Sequence, residues 1–155
     1  MRESVDQARS VKWGWRILIG ACALYVLNGV TWLFLGPTAT VADMADNLGV
    51  SVETFETTYP EATTHLTVNT RWVAVYLVAI GTMGLLAAIL GSRRRERWAW
   101  DITWIFVATV FAVVVIGLPE GVGGFGAAMG TLALIALTGQ LLARRGLTGR
   151  ETVPP

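Results

Sequence analysis

The 155-residue sequence contains one cysteine and one histidine, and only 15% of its residues are charged. A lone Cys22 permits no intrachain disulfide, no CxxC motif and no cysteine–histidine zinc set. A lone His65 cannot supply the two axial imidazoles of a b-type haem. No nucleophile motif accompanies that histidine, so no Ser/His/Asp arrangement can be built around it. No N-x-S/T glycosylation sequon occurs. No carboxylate lies in the middle of an apolar run, which argues against a proton-coupled exporter. The charged fraction falls well below the roughly 25% of an average soluble domain. These scarcities exclude a soluble enzyme, a disordered tail and a disulfide-stapled scaffold, and no cofactor is expected.

What the sequence has instead is apolar length. Hydrophobic residues make up 54% of the chain and mean hydropathy is +0.55. Four runs carry no charge: Ile17 to Leu35, Trp72 to Gly91, Ile102 to Pro119 and Gly121 to Ala143. They span 19, 20, 18 and 23 residues, close to the roughly 20 a helix needs to cross about 30 Å of hydrocarbon. Barrel strands would alternate apolar and polar residues, and these runs do not. The expected fold is therefore an all-α membrane protein, with four transmembrane helices in an up-down bundle and a small amphipathic outer segment. Its parts are a cytoplasmic segment 1–16, a membrane domain 17–143 and a cytoplasmic tail 144–155. The helices are expected at about 17–35, 72–91, 98–118 and 122–143, with the outer segment at 36–71. A cleaved signal peptide is the competing reading of the first run. That run is long for a signal's apolar core, and tryptophans flank it as they flank a membrane span.

Charge fixes the expected orientation. Eleven of the 12 basic residues fall before helix 1, between helices 2 and 3, or after helix 4, and five acids share that side. The other side holds Arg71 alone against six acids: Asp43, Asp46, Glu53, Glu56, Glu61 and Glu120. The two sides thus carry +6 and −5. Basic flanks stay in the cytoplasm, so both termini are expected there, in a cell (inner or plasma) membrane. Trp13, Trp15, Trp98, Trp100 and Trp104 would mark the cytoplasmic interface, and Trp32 and Trp72 the outer one.

In the outer segment, Val41, Met44, Ala45 and Leu48 recur at helical spacing, and Gly49 follows as a stop. Ser51 is placed to cap a short turn carrying Val52 and Phe55. Pro60 suits the first position of a new helix, and nothing interrupts the chain between it and Gly91. Tyr59-Pro60-Glu61 thus leads into Arg71-Trp72, and Arg93-Arg94-Arg95-Glu96-Arg97-Trp98-Ala99-Trp100 precedes helix 3. This layout resembles that of small four-span bacterial and archaeal membrane proteins of the DoxX-like group. The resemblance implies a four-helix bundle and brings no catalytic residues. By analogy alone it admits a quinone-linked redox subunit.

Gly121-Val122-Gly123-Gly124-Phe125-Gly126 matches G-x-G-x-x-G, but a dinucleotide site needs a preceding strand and a βαβ unit. Helix packing is the better reading. Gly126 and Gly130 form a GxxxG step that suits close packing within the chain, a partner membrane helix or a homodimer. Tyr25, Asn28 and Trp32 share one face of helix 1. Asn28 is expected to hydrogen-bond across the bundle, with Tyr76 as partner. Arg71 is expected to pair with Glu120, or failing that with Glu61. Arg97 and Asp101 are a turn apart and able to pair. The arginines at 93–97 read as a lipid-facing turn, so no nucleic acid is expected. Two functions remain open. One is a non-enzymatic accessory or interaction protein in the bilayer. The other is a small transporter, or a protein binding a hydrophobic ligand such as a lipid or quinone. Its outer-side site would draw on Tyr25, Asn28, Trp32, Arg71, Tyr76 and Glu120.

Overall fold

The computed structural model describes residues 2–94, 97–117 and 123–144, with side-chain surroundings for 9–91, 97–115 and 128–144. Among the described residues there is no strand. Five helices follow in order: α1 (Arg2–Asn47), α2 (Val52–Thr58), α3 (Pro60–Arg94), α4 (Arg97–Gly117) and α5 (Gly123–Arg144). Three stretches are long and apolar enough to cross a membrane: Arg9–Asn47, Pro60–Gly91 and Arg97–Val115. Their most apolar windows are only 28–33% buried within the chain, so most of their apolar surface faces outward. Ala128–Arg144 in α5 is a shorter apolar helix.

The chain divides into two compact units, one made of residues 1–24 and 81–155 and the other of residues 25–80. In the first, α1, α3, α4 and α5 meet pairwise. Gly14 of α1 faces Gly139 and Ala143 of α5, and Trp15 reaches Gly91 of α3. Gly91 in turn meets Ala99 of α4, and Gly84 meets Cys22 and Phe106. Helices α4 and α5 also pack together. Val11, Trp15, Leu18, Ala88 and Ala143 form one buried cluster, with Ile19 and Trp100 packed against it. Small residues at these crossings let helix backbones approach closely, which maximises dispersion contact.

In the second unit, α1 and α3 run antiparallel. A β-carbon on Gly29 would stand 2.9 Å from Val78, and one on Gly36 would stand 2.8 Å from the Thr70 methyl. Further along, Val41, Ala45 and Phe55 cluster with Leu66. The sequence predicts that helix 1 stops near Gly36-Pro37. The structure carries α1 through Pro37 to Asn47. A proline inside a helix removes one backbone donor and crowds the preceding turn, but here the buried face continues without a gap through Gly36, Pro37, Val41 and Ala45. The Thr40 hydroxyl donates to the Gly36 carbonyl at 2.9 Å, and the Thr70 hydroxyl reaches the Thr40 oxygen at 3.2 Å. Burial outweighs local propensity at that point.

The stop comes instead at Gly49. Its φ of +68° is a left-handed conformation that glycine adopts without steric cost. The Gly49 amide donates to the Asp46 carbonyl at 2.9 Å and the Val50 amide to the Ala45 carbonyl at 3.0 Å. This is the Schellman pattern that satisfies terminal carbonyls. Ser51 then caps α2, its hydroxyl oxygen accepting from the Thr54 amide at 3.1 Å. Pro60 opens α3, which runs unbroken to Arg94.

Candidate functional site

The end of α1, Phe55 of α2 and the start of α3 border an open apolar concavity in the second unit. It has a volume of about 380 Å³ and is lined by Met44, Leu48, Phe55, Tyr59, Ala62, His65 and Leu66. Each wall has a local cause. Met44 lies on the last turn of α1 and Leu48 just past its end, four residues on and immediately before Gly49. Phe55 is the one buried residue of α2 and turns its ring towards Tyr59, with centroids 5.5 Å apart. Ala62, His65 and Leu66 occupy successive turns at the start of α3, on one face of that helix. Carbon and sulfur line most of the surface, and the imidazole of His65 and the phenol of Tyr59 are the polar groups at hand. A volume of this order suits a small apolar guest or one segment of a long chain.

The residues predicted to form an outer site do not gather here. Tyr25 is fully buried, Trp32 is half-buried and Asn28 is half-buried. The Asn28 Nδ2 is shut away from solvent without a hydrogen-bond partner among the described residues. Tyr76 is not that partner. It is 61% exposed and lies against Trp72 of its own helix, with ring centroids 6.4 Å apart. Arg71 is exposed. Its expected partner Glu120 lies outside the described residues, and the same holds for the 118–122 hairpin. The fallback partner Glu61 is ten residues away on an unbroken helix, about 15 Å along the axis and beyond direct pairing. Arg97 and Asp101 are both exposed, and no ion pair joins them among the described residues. Among the described residues, no group of three or more His, Cys, Asp or Glu is placed to hold a metal ion.

The polar lock of the structure lies elsewhere. Gln140 of α5 is fully buried. Its Nε2 donates to the Trp100 carbonyl at 2.9 Å, and its Oε1 accepts from the Thr103 hydroxyl at 2.8 Å. The Trp100 indole N–H points to the Gln140 carbonyl at 3.4 Å. The amide orientation follows from chemistry, since a carbonyl can only accept and must therefore face Nε2. Trp100 also meets Trp104 edge-on, with centroids 5.7 Å apart. Sequence reasoning missed this site because it weighed only the asparagine of helix 1. A glutamine in the last apolar run, with a threonine in the one before, was the available signal.

Of the packing roles expected for the GxxxG step, close packing within the chain is not seen at Gly130 among the described residues. A β-carbon on Gly130 would meet nothing within 4 Å among the described residues. Gly126 lies in α5, but its surroundings are outside the described residues. The close approach of α5 is made at Gly139. Beside Gly130, a shallow apolar groove of about 300 Å³ is lined by Ile17, Thr131, Leu134, Ile135 and Thr138. No family model, curated protein or solved structure matches the chain.

Proposed function

We propose that this chain is a four-span integral membrane protein that binds a hydrophobic ligand in an outer cap. The charge asymmetry supports cytoplasmic termini and an outward-facing segment around residues 36–71. Large apolar side chains lie exposed along the helices, among them Leu27, Phe34, Leu35, Val73, Leu86, Ile105 and Leu134. A soluble protein rarely tolerates so extensive an apolar surface, and a lipid bilayer covers it. Exposed threonines on these helices satisfy themselves locally. Thr31, Thr109 and Thr138 each donate to the carbonyl four residues back, as a hydroxyl facing hydrocarbon must.

The observation that carries the ligand reading is the helix-walled apolar pocket of about 380 Å³. Its best occupant is the chain of a lipid or an isoprenoid quinone, with His65 and Tyr59 near a polar end. The test is to purify the protein and identify co-purifying lipids and quinones by mass spectrometry, in the native chain and in Ala62→Phe. The phenyl ring fills the pocket from an exposed helix position, so the ligand should be lost while helicity is retained. Equal recovery of ligand from both proteins overturns the assignment.

The open face of α5 at Gly130 supports a second reading, an accessory protein that receives a partner helix. A stoichiometric protein partner lost on Gly130→Leu would favour it over the ligand-binding reading.

A further inference from the structure

Helix α1 shows opposite characters on its two faces near its start. Val11, Gly14, Trp15 and Leu18 are buried, while Arg9, Lys12, Trp13 and Arg16 are exposed. The three cations sit at spacings of three and four, so they form one stripe along the helix. The Arg16 guanidinium lies over the Trp13 ring, 5.3 Å from its centroid, and Trp13 itself is 50% exposed. That cation–π contact restrains the guanidinium, and Arg16 itself is exposed. Within α1, Glu3 and Asp6 precede the stripe, and no carboxylate follows it until Asp43.

Other elements of the same unit bring more positive charge to this end. Gly14 meets Ala143, which places exposed Arg144 there. Trp15 meets Gly91 and Gly91 meets Ala99, which places exposed Arg97 there as well. Among the side chains described at this end, Asp101 is the opposing carboxylate. The stripe also has the right length. From Arg16, where the uncharged run begins, to Arg9 is seven residues, about 10 Å along the axis. The headgroup layer on one side of a bilayer is about 5–8 Å deep, so the stripe crosses it and its far end reaches water.

We infer that Arg9, Lys12 and Arg16, with Trp13, form a binding site for the phosphate of an anionic phospholipid. The site rests on the membrane reading above and is independent of the apolar pocket. Trp13 inserts its ring at the interface, Arg16 grips the phosphate oxygens with its fork, and Lys12 and Arg9 add charge at the outer edge of the headgroup layer.

The full-length protein is reconstituted in vesicles of equal parts phosphatidylglycerol and phosphatidylcholine, released, and its retained lipids are read by native mass spectrometry. Phosphatidylglycerol should dominate, and each cation removed should lower the preference by about fivefold. The R9Q/K12Q/R16Q variant should retain both lipids nearly equally, whereas R9K/R16K should keep most of the preference. Raising salt should erode the preference of the native chain, a measurement that needs no variant. Equal retention by the native chain, or an unchanged preference in the triple variant, overturns the site. Inorganic phosphate protecting the protein from thermal unfolding as well as phosphatidylglycerol does would also overturn it, by pointing to a soluble anion. Failure of the native chain to float with phosphatidylcholine vesicles sinks the membrane reading itself, a different result from loss of lipid preference.

Discussion

Gly14 and Gly139 approach so closely that a β-carbon on Gly14 would stand 2.8 Å from the Gly139 carbonyl oxygen. The relation is reciprocal, because a β-carbon on Gly139 would stand 3.0 Å from the Gly14 carbonyl oxygen. Backbone faces backbone at this crossing, and backbone cannot rotate out of the way as a side chain can.

Gly14→Ala is therefore expected to force α1 and α5 apart and to destabilise the protein by about 1–3 kcal/mol. Gly130→Ala should be neutral, or stabilising by up to about 1 kcal/mol through helix propensity, since no described residue stands within 4 Å of a β-carbon there. Thermal unfolding followed by circular dichroism in detergent separates the two. Equal losses at both glycines would mean that the Gly14 crossing is not the tight one.

A second expectation concerns the buried amide. Thr103→Val and Gln140→Leu each remove one partner of a 2.8 Å hydrogen bond. A double-mutant cycle in the same unfolding assay should give a coupling of roughly 0.6–2 kcal/mol, the range found for polar contacts between membrane helices. Gln140→Leu is milder than it first looks. The Thr103 hydroxyl lies 2.8 Å from the Trp100 carbonyl and can turn its proton there. Strict additivity of the two substitutions would show that the amide and hydroxyl act separately.

The third expectation is topological. A cysteine at Thr57, exposed on α2, should react with a membrane-impermeant maleimide applied to intact cells. One at Thr148 should react only after the cells are opened. The native thiol does not interfere, because Cys22 is buried, with its sulfur against Gly84 of α3. Protection at Thr57 with labelling at Thr148 in intact cells would invert the assigned orientation.

Much of this architecture could be read before any coordinates. Helical character followed from run length, and Gly49, Ser51 and Pro60 marked the turns around α2 because caps are local chemistry. The end of α1 was not legible. Gly36-Pro37 is a strong local stop signal, and tertiary packing, of Gly36 against Thr70 and of Val41 and Ala45 against Phe55, carries the helix past it. The pocket was half legible: Met44, Leu48 and Phe55 were recognisable as apolar faces, but not as opposing walls. The Gln140 lock needed the pairing of two distant runs, which periodicity within either run does not encode. Tyr76 illustrates the same limit, since spacing places it on a helix face without saying whether that face looks inward.

The pocket walls have a consequence for how a guest would be received. Met44, Phe55, Ala62, His65 and Leu66 belong to helices, Leu48 is the first residue past α1, and Tyr59 is the single residue joining α2 to α3. No long loop has to close, so little chain entropy remains to be lost on binding. Recognition would then depend on expelling water from carbon surfaces, with a negative heat-capacity change as its signature. Selectivity among guests would follow girth and length more than headgroup chemistry, since a rigid apolar wall rejects by shape.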